Sequence, residues 1–314
     1  MVSECDRRPI PFGDVPDPDK NYIEDSCVAI LRFGAWVEKP CSDLLPFICY
    51  EDKFFGQVHV TNITATSATI NWEEAPGAID YYRVEVDHKL YDEVQTELTI
   101  AVRNLTAGTR YKVEVFPVKC GRRLNPESGT FYTVPNKVSD LEIVDVTTEC
   151  VSLKWKKTSS DVDVYSISTK GQPKTNVTES SATICDLIPG SLHKFQVQAG
   201  FSDKSSWSAS STISTFTKPA KVSNLQLVAD SGSYSSLSFE WEKPTGEATS
   251  YLAIWSYSSG ERDFSANETV MDNNLQILNL PSGTKITLEV AALANYSLRG
   301  ESQTVENFTF GFPL

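Results

Sequence analysis

The chain has 314 residues and carries 28 Lys and Arg against 41 Asp and Glu, a formal net charge of −13. Long-range repulsion from such an acidic chain excludes nucleic acid and anionic lipid as expected partners. No run of about 18 apolar residues occurs, so we predict no membrane-spanning segment in this sequence.

The first predicted unit, residues 1–52, is defined by the cysteines Cys27, Cys41 and Cys49. Their spacing, with the aromatic and apolar residues between them, resembles the C-terminal half of a C-type lectin-like domain. The resemblance implies a Cys27–Cys41 disulfide and a partner for Cys49 on a helix that is missing from this sequence, for which Cys5 is a substitute. With about half of that domain absent, we expect the unit to be the least ordered part of the chain.

The same resemblance implies a place for sugar and calcium binding, at the segments Val15-Pro-Asp17 and Trp36-Val-Glu38. Calcium needs six to eight oxygen ligands, and a valine in each segment removes two of those that such lectins use. The acidic residues nearby either hold calcium or form a solvated acidic loop. The binding candidates are Asp17, Trp36 and Glu38, and the calcium candidates are Asp14, Asp17, Asp19, Glu24 and Asp25. No other cofactor is predicted.

From about residue 57 onward, apolar and polar residues alternate in short runs that are separated by Gly, Pro, Asn and Ser. This pattern is typical of half-buried antiparallel strands. Three tryptophans recur, and each is followed ten residues later by a tyrosine: Trp72 and Tyr82, Trp155 and Tyr165, Trp241 and Tyr251. The predicted strands are 68–72, 82–86 and 111–115, then 151–155 and 165–167, then 237–241 and 251–255.

The boundaries between the copies are visible because Pro135-Asn-Lys-Val-Ser-Asp-Leu141 recurs as Pro219-Ala-Lys-Val-Ser-Asn-Leu225. Each copy also carries a Leu-x-x-Gly-[Thr/Ser] turn. These features resemble fibronectin type III repeats, which implies an all-β fold of three tandem immunoglobulin-like sandwiches behind the lectin-like segment. The predicted domains are 55–135, 136–219 and 220–314. With strands of about nine residues, each is about 30 Å long, and three in series form a spacer rod of about 90 Å.

In that family a tyrosine six residues after the leucine of the turn makes a corner hydrogen bond. Only the first copy retains this tyrosine, at Tyr111, whereas His193 and Ile286 stand in its place in the later copies. We therefore expect the second and third copies each to lack a hydrogen bond worth about 1 kcal/mol.

The fold implied by the resemblance places strands B and E side by side. Cys150 lies five residues before Trp155, and Cys185 follows the inward residue Ile184, so both cysteines are expected to point outward. We predict a Cys150–Cys185 disulfide, with two unpaired thiols as the alternative. Cys120 has no evident partner and is interpreted as an unpaired thiol.

The sequence offers no arrangement suited to catalysis. His59, His88 and His193 occupy three different strand or turn positions, and none has a metal ligand or a nucleophile at a useful spacing. We interpret them as surface or rim histidines. There is also no phosphate-binding glycine loop, Cys-x-x-Cys or nucleophile elbow, so we predict that the chain is not an enzyme.

Two loops and one exposed aromatic residue invite a binding role. Arg122 and Arg123, in the connection between strands F and G of the first copy, are either solubilising charges or a site for a sulfated glycan. Leu298-Arg-Gly-Glu301, in the equivalent connection of the third copy, is either an Arg-Gly-Asp-like motif or an ordinary glycine turn. Trp207 covers a seam between domains or lies at a partner interface.

Six Asn-x-[Ser/Thr] glycosylation acceptors indicate passage through the secretory route: Asn62, Asn104, Asn176, Asn267, Asn295 and Asn307. Residues 1–8 are polar and lack the core of a secretion signal. We therefore expect the chain to lie inside a longer extracellular or cell-surface protein, with the signal upstream and any anchor downstream.

The predicted function is non-enzymatic recognition or adhesion, with a lectin-like head on a spacer rod that binds a protein or glycan ligand. Short junctions marked by proline look similar to receptor-type tyrosine phosphatase ectodomains, so the extracellular part of an enzyme-linked receptor is one alternative. A matrix spacer protein is another.

Overall fold

A computed structural model describes residues 26–30, 36–40, 57–75, 79–159, 161–203, 205–229, 231–260 and 262–311, with side chains from residue 57 onward except at 92–93. Over these residues the regular elements are all β-strands. The predicted all-β class is confirmed there, and the described part of the chain has no helix that could cross a membrane.

The N-terminal segment contributes one antiparallel hairpin. Strand β1 (Ser26–Ile30) pairs with β2 (Trp36–Pro40), and Val28 lies opposite Glu38 in the register. The rest of residues 1–52 lies outside the described ranges, so the lectin-like architecture stays a prediction.

The remaining strands form three successive pairs of sheets, which we call sheet pairs 1, 2 and 3. In each pair a three-stranded sheet faces a larger one. Pair 1 has the orders β3-β4-β7 and β10-β8-β5-β6, with β9 on β8: β3 (Val58–Thr61), β4 (Ser67–Trp72), β5 (Tyr81–Val86), β6 (Lys89–Gln95), β7 (Thr99–Arg103), β8 (Arg110–Lys119), β9 (Arg122–Arg123) and β10 (Glu127–Tyr132).

Pairs 2 and 3 share one strand order. Pair 2 has the orders β11-β12-β15 and β14-β13-β16-β17: β11 (Ser139–Val146), β12 (Val151–Lys156), β13 (Val164–Thr169), β14 (Thr175–Val177), β15 (Ser181–Ile184), β16 (Leu192–Gly200) and β17 (Ser211–Phe216). Pair 3 has the orders β18-β19-β22 and β21-β20-β23-β24: β18 (Ser223–Leu227), β19 (Leu237–Glu242), β20 (Ser250–Ser259), β21 (Arg262–Val270), β22 (Asn274–Ile277), β23 (Lys285–Ala294) and β24 (Leu298–Phe308).

Alternation along the strands forms the cores, because successive residues of a strand point to opposite faces of its sheet. In β12, Val151, Leu153 and Trp155 are buried while the residues between them are not. Facing residues from β13 and β16, such as Phe195, complete the same apolar cluster. Pair 3 repeats the arrangement with β19, β20 and β23.

The repeated tryptophans and tyrosines meet in the three cores. Their ring centroids are 5.6 Å apart for Trp72 and Tyr82, 5.3 Å for Trp155 and Tyr165, and 5.4 Å for Trp241 and Tyr251. The rings are tilted or edge-on, the geometry that aromatic pairs prefer. The same burial raises the pKa of the Tyr251 hydroxyl, since it disfavours the charged form.

A buried threonine at the end of each final strand fastens the Leu-x-x-Gly turn. The hydroxyl of Thr217 donates to the carbonyl of Ile188 at 2.7 Å and accepts from the amide of Ser191 at 3.3 Å. Thr133 and Thr309 make the equivalent pairs of bonds in sheet pairs 1 and 3. All three side chains are buried, so each sheet pair has the same internal clasp between its last strand and this turn.

The predicted loss of a corner hydrogen bond is wrong for sheet pair 2. His193 is buried, and its Nε2 lies 3.1 Å from the carbonyl of Ile188. The imidazole thus takes the place of a tyrosine hydroxyl, and its interpretation as a surface or rim residue is also wrong. In pair 3, Ile286 is fully buried and packs in the apolar core.

The chain divides into two compact units. One contains residues 1–63, 67–104 and 110–131, and the other contains 64–66, 105–109 and 132–314. Sheet pairs 2 and 3 therefore belong to the same unit.

Candidate binding surfaces

The candidates for sugar and calcium binding lie almost wholly outside the described residues: Asp14, Asp17, Asp19, Glu24 and Asp25. The backbones of Trp36 and Glu38 are placed in β2, two residues apart on one strand. Among the described residues, no group of three or more His, Cys, Asp or Glu is arranged to hold a metal ion. Sugar and calcium binding both stay predictions.

The arginines of sheet pair 1 do not share one role. Arg123 lies over the ring of Phe116, with its guanidinium carbon 3.7 Å from the ring centroid, and its Nη2 is 3.1 Å from Glu85 Oε1. Arg83 Nε lies 3.4 Å from the same carboxylate oxygen. Arg122 is exposed. The guanidinium of Arg123 is thus engaged with an aromatic ring and a carboxylate. Arg123 therefore does not form a joint anion site with Arg122.

The Arg-Gly-Glu motif of sheet pair 3 is not in a connection, as the sequence had suggested. Arg299, Gly300 and Glu301 lie inside strand β24, at the place where its pairing with β23 has a register shift, between Arg299 and Ser302. Arg299 Nη2 is 2.5 Å from Glu289 Oε1 on the neighbouring strand. The turn instead consists of Asn295 and Tyr296, which both have positive φ. Neither reading of the motif, as a recognition loop or as a glycine turn, agrees with this geometry.

Trp207 closes a loop within sheet pair 2. It forms an isolated bridge with Gly200, and a Cβ on Gly200 would lie 2.5 Å from the indole ring. The loop is braced by Ser208, whose hydroxyl accepts from the amide of Ala199 at 2.9 Å. Side-chain and backbone hydrogen bonds from Ser205 lower the pKa of the Asp203 carboxyl in the same loop. Trp207 therefore covers the backbone of its own sheet pair.

The structure joins Cys150 and Cys185 by a disulfide, the pairing that the strand order favours. Cys150 directly precedes Val151 and Cys185 directly follows Ile184, and Val151 lies opposite Ile184 on the neighbouring strand. Both cysteines lie outside the buried core. The alternative of two unpaired thiols is not what the structure has.

The interpretation of Cys120 as an unpaired thiol is wrong, because it is disulfide-bonded. It lies with Gly121 in the tight turn between β8 and β9, and both residues have positive φ. The Cys120 amide donates to Asp80 Oδ2 at 2.6 Å, which fixes the turn. Spacing within the repeat gave no sign of a partner, since the equivalent position in the other copies holds no cysteine.

Two histidines and several residues of one groove are held in hydrogen bonds and ion pairs. His193 bonds a backbone carbonyl, and His88 Nδ1 lies 3.4 Å from Glu114 Oε2 on the surface. A shallow groove on sheet pair 3 is lined by residues that include Asp263 and Lys285. Lys285 Nζ is 2.8 Å from Glu306, and Ser258 donates to Asp263 at 2.6 Å. These contacts hold the carboxylates of Asp263 and Glu306 in a surface hydrogen bond and a surface ion pair.

Five of the six glycosylation acceptors are exposed, and Asn307 is half-buried. Asn176 and Asn267 lie at corresponding places, on the edge strands β14 and β21. Asn62, Asn104 and Asn295 lie in turns and have positive φ, a conformation that asparagine tolerates better than most residues.

The strand order, the tryptophan and tyrosine cores and the clasped turns can be compared with known families. The fibronectin type III domain model matches residues 55–133 and 136–214, which together make up half of the chain. The chain belongs to the fibronectin type III family. The match covers sheet pair 1 and, except for the last two residues of β17, sheet pair 2 with its Cys150–Cys185 disulfide.

Similar proteins include a chicken receptor-type tyrosine-protein phosphatase eta, which is 29% identical over 80% of this chain and 18% of the relative. Chicken tenascin is 25% identical over 76% of this chain and 14% of the relative. The chain thus spans less than a fifth of the length of these relatives. A solved two-domain fibronectin type III segment of chicken tenascin has 16% identity and a TM-score of 0.40, and covers 55% of this chain and 99% of the segment.

Proposed function

We propose that the chain is a non-enzymatic recognition or adhesion segment of an extracellular or cell-surface protein. Sheet pair 3 serves as a third fibronectin type III domain, and the three domains form a spacer behind a lectin-like N-terminal segment. The segment and spacer together present a surface to a protein or glycan ligand.

The observation that carries this proposal is the Cys150–Cys185 disulfide within a matched fibronectin type III stretch. Disulfides persist in oxidising compartments and are rare in the reducing cytosol. Its position outside the apolar core would leave the bond open to reductants there. The exposed glycosylation acceptors are consistent with the same compartment.

The absence of catalysis is part of the proposal. His193 bonds a backbone carbonyl, Cys150 and Cys185 form a disulfide, and Glu85 pairs with Arg123. The buried interiors are filled with apolar and aromatic side chains. A binding role suits surfaces of this kind, since function in such folds depends on sites added to the scaffold.

Two narrower functions have specific support. Similarity to the receptor-type phosphatase favours the outer part of an enzyme-linked receptor, with catalysis elsewhere in that longer protein. Similarity to tenascin favours a spacer of the extracellular matrix. A membrane span and phosphatase motif encoded downstream of this sequence would support the first function, and their absence would favour the second.

A binding screen tests the role of the N-terminal segment. Residues 1–314 and residues 57–314 would be displayed on beads and exposed to glycan arrays and to purified cell-surface ectodomains, with and without calcium. We expect ligands that bind the longer form and not the shorter one. Equal binding by residues 57–314 would show that recognition lies in the fibronectin type III domains, and would refute the lectin-like head.

A further inference from the structure

We propose that sheet pairs 2 and 3 are held as one rigid body, and that Gly190, Gly246 and Gly300 are the residues that permit this. A segment of fixed geometry would set the distance and direction between surfaces at its two ends. The proposal concerns the unit that contains both pairs and does not depend on the ligand or compartment.

The first contact joins a turn of sheet pair 2 to a turn of sheet pair 3. The Glu247 amide donates to the carbonyl of Pro189 at 2.9 Å. A Cβ on Gly190 would overlap the carbonyl oxygen of Glu247, and a Cβ on Gly246 would overlap the carbonyl oxygen of Pro189. The two turns therefore pack backbone against backbone, at a separation that no side chain larger than hydrogen allows.

The second contact lies at the junction itself. A Cβ on Gly300, in strand β24, would overlap the carbonyl oxygen of Pro219. Pro219 is buried and has a fixed φ. Gly300 has no positive φ, so the close approach of Pro219 is the reason that glycine is needed there. The connecting segment is thus fixed along the last strand of sheet pair 3.

The turns that meet are each braced within their own sheet pair. In pair 2, the amide of Gly190 donates to the backbone carbonyl of Lys218 at 3.2 Å, next to the hydrogen bonds of Thr217. In pair 3, the amide of Thr249 donates to the carbonyl of Leu293 at 2.8 Å. The hydroxyl of Thr249 accepts from the amide of Tyr296 at 3.1 Å. Sheet pairs 2 and 3 therefore touch at two separate places, and each place is held by hydrogen bonds. Two such contacts oppose a hinge motion between the pairs that a single contact would allow.

The chain contains its own comparison for Gly190. Gly283 occupies the same place in the turn of sheet pair 3 and also has positive φ, +64° against +70° for Gly190. A Cβ on Gly283 would meet only Gly311, at 3.6 Å, which is an ordinary contact. Replacing either glycine by alanine imposes the same backbone strain, but only at Gly190 does it also separate the two turns.

Distance measurements between spin labels test the proposal in the whole chain. Nitroxide-bearing amino acids that need no thiol would replace Lys154 and Gln276, which are exposed on sheet pairs 2 and 3. We expect one narrow distance distribution for the otherwise unchanged chain. Gly190→Ala and Gly246→Ala should broaden and shift it, whereas Gly283→Ala should leave it unchanged.

Gly300→Ala separates loss of the contact from a failure to fold, because its backbone conformation suits alanine. We expect it to broaden the distribution while hydrogen exchange inside each sheet pair stays slow. A broad distribution in the unchanged chain would overturn the proposal. So would an unaltered distribution in Gly246→Ala and Gly300→Ala, or an equal response to Gly190→Ala and Gly283→Ala.

Discussion

Sheet pairs 2 and 3 have the same strand order but are fastened differently. Pair 2 has the Cys150–Cys185 disulfide and the His193 corner, and its edge hairpin is short, with β14 only three residues long. Pair 3 has no cysteine, places Ile286 where pair 2 has the histidine, and extends β20 and β21 to ten and nine residues.

The comparison separates what defines the fold from what adjusts it. The tryptophan and tyrosine core and the threonine clasp recur in both pairs. The disulfide, the polar corner and the long hairpin occur in one pair each. We infer that the recurring contacts carry most of the stability, and that the others contribute smaller amounts within a single pair.

Truncating the core tryptophans should have the largest effect, and a similar one in the two pairs. We expect Trp155→Ala and Trp241→Ala each to lower the free energy of unfolding of their own pair by about 3–5 kcal/mol. Because a chain of several domains does not unfold in two states, the loss is measured by hydrogen exchange with mass spectrometry in each pair. Trp155→Phe and Trp241→Phe are the controls and should cost less. A clear loss in only one of the two alanine variants would contradict the shared core.

Removing the disulfide should have the next largest effect, and only in pair 2. The double variant Cys150→Ala with Cys185→Ala opens a loop of sequence separation 35 and should cost about 2–4 kcal/mol. Hydrogen exchange in pair 3 reports whether the effect is local. Unchanged protection in β12 and β15 would show that the bond does not stabilise pair 2.

The threonine clasp should matter in both pairs. Thr217→Val and Thr309→Val keep the side-chain shape but remove the hydroxyl that bonds Ile188 and Ser191 in one pair and Pro281 and Thr284 in the other. Losing these hydrogen bonds should cost about 1–3 kcal/mol in each pair, and more in pair 3, because the carbonyl of Ile188 in pair 2 keeps His193 as a partner. Thermal unfolding of Thr217→Ser, which keeps a hydroxyl, is the control. Equal stability of the serine and valine variants would refute the clasp.

The histidine corner should have the smallest effect. His193→Leu brings pair 2 closer to pair 3 and removes one hydrogen bond, which is worth about 1 kcal/mol. The carbonyl of Ile188 still accepts from Thr217, so it is not left unpaired. Hydrogen exchange in β16, measured at increasing concentrations of denaturant, gives the loss in free energy of unfolding. A loss of several kcal/mol would show that the imidazole has a role beyond this bond.

Much of the fold could be predicted from the sequence, because strand alternation and the spacing of Trp155 and Tyr165 depend on local residues. The threonine clasp also has a sequence signal, since a threonine directly follows the last strand of each sheet pair, at Thr133, Thr217 and Thr309. The role of Gly190 could not be predicted. Gly190 differs from Gly283 in that the backbone of Glu247, from another sheet pair, packs closely against it.

The candidate sites were predicted less well. Arg123 lies over the ring of Phe116, and Trp207 pairs with Gly200. No sequence pattern indicates either contact. Cys120 was misinterpreted because its disulfide follows no rule of the repeat. The lectin-like interpretation depends on residues outside the described ranges and stays a prediction.

The most direct test of the account is the state of the cysteines and acceptors in protein secreted from eukaryotic cells. Mass mapping without reduction should find Cys150 linked to Cys185, and Cys120 linked to a peptide from the first 49 residues, which hold the four other cysteines. Treatment with an N-glycan hydrolase should lower the mass of the chain. Free thiols at Cys150 and Cys185 together with an unchanged mass would contradict an extracellular role.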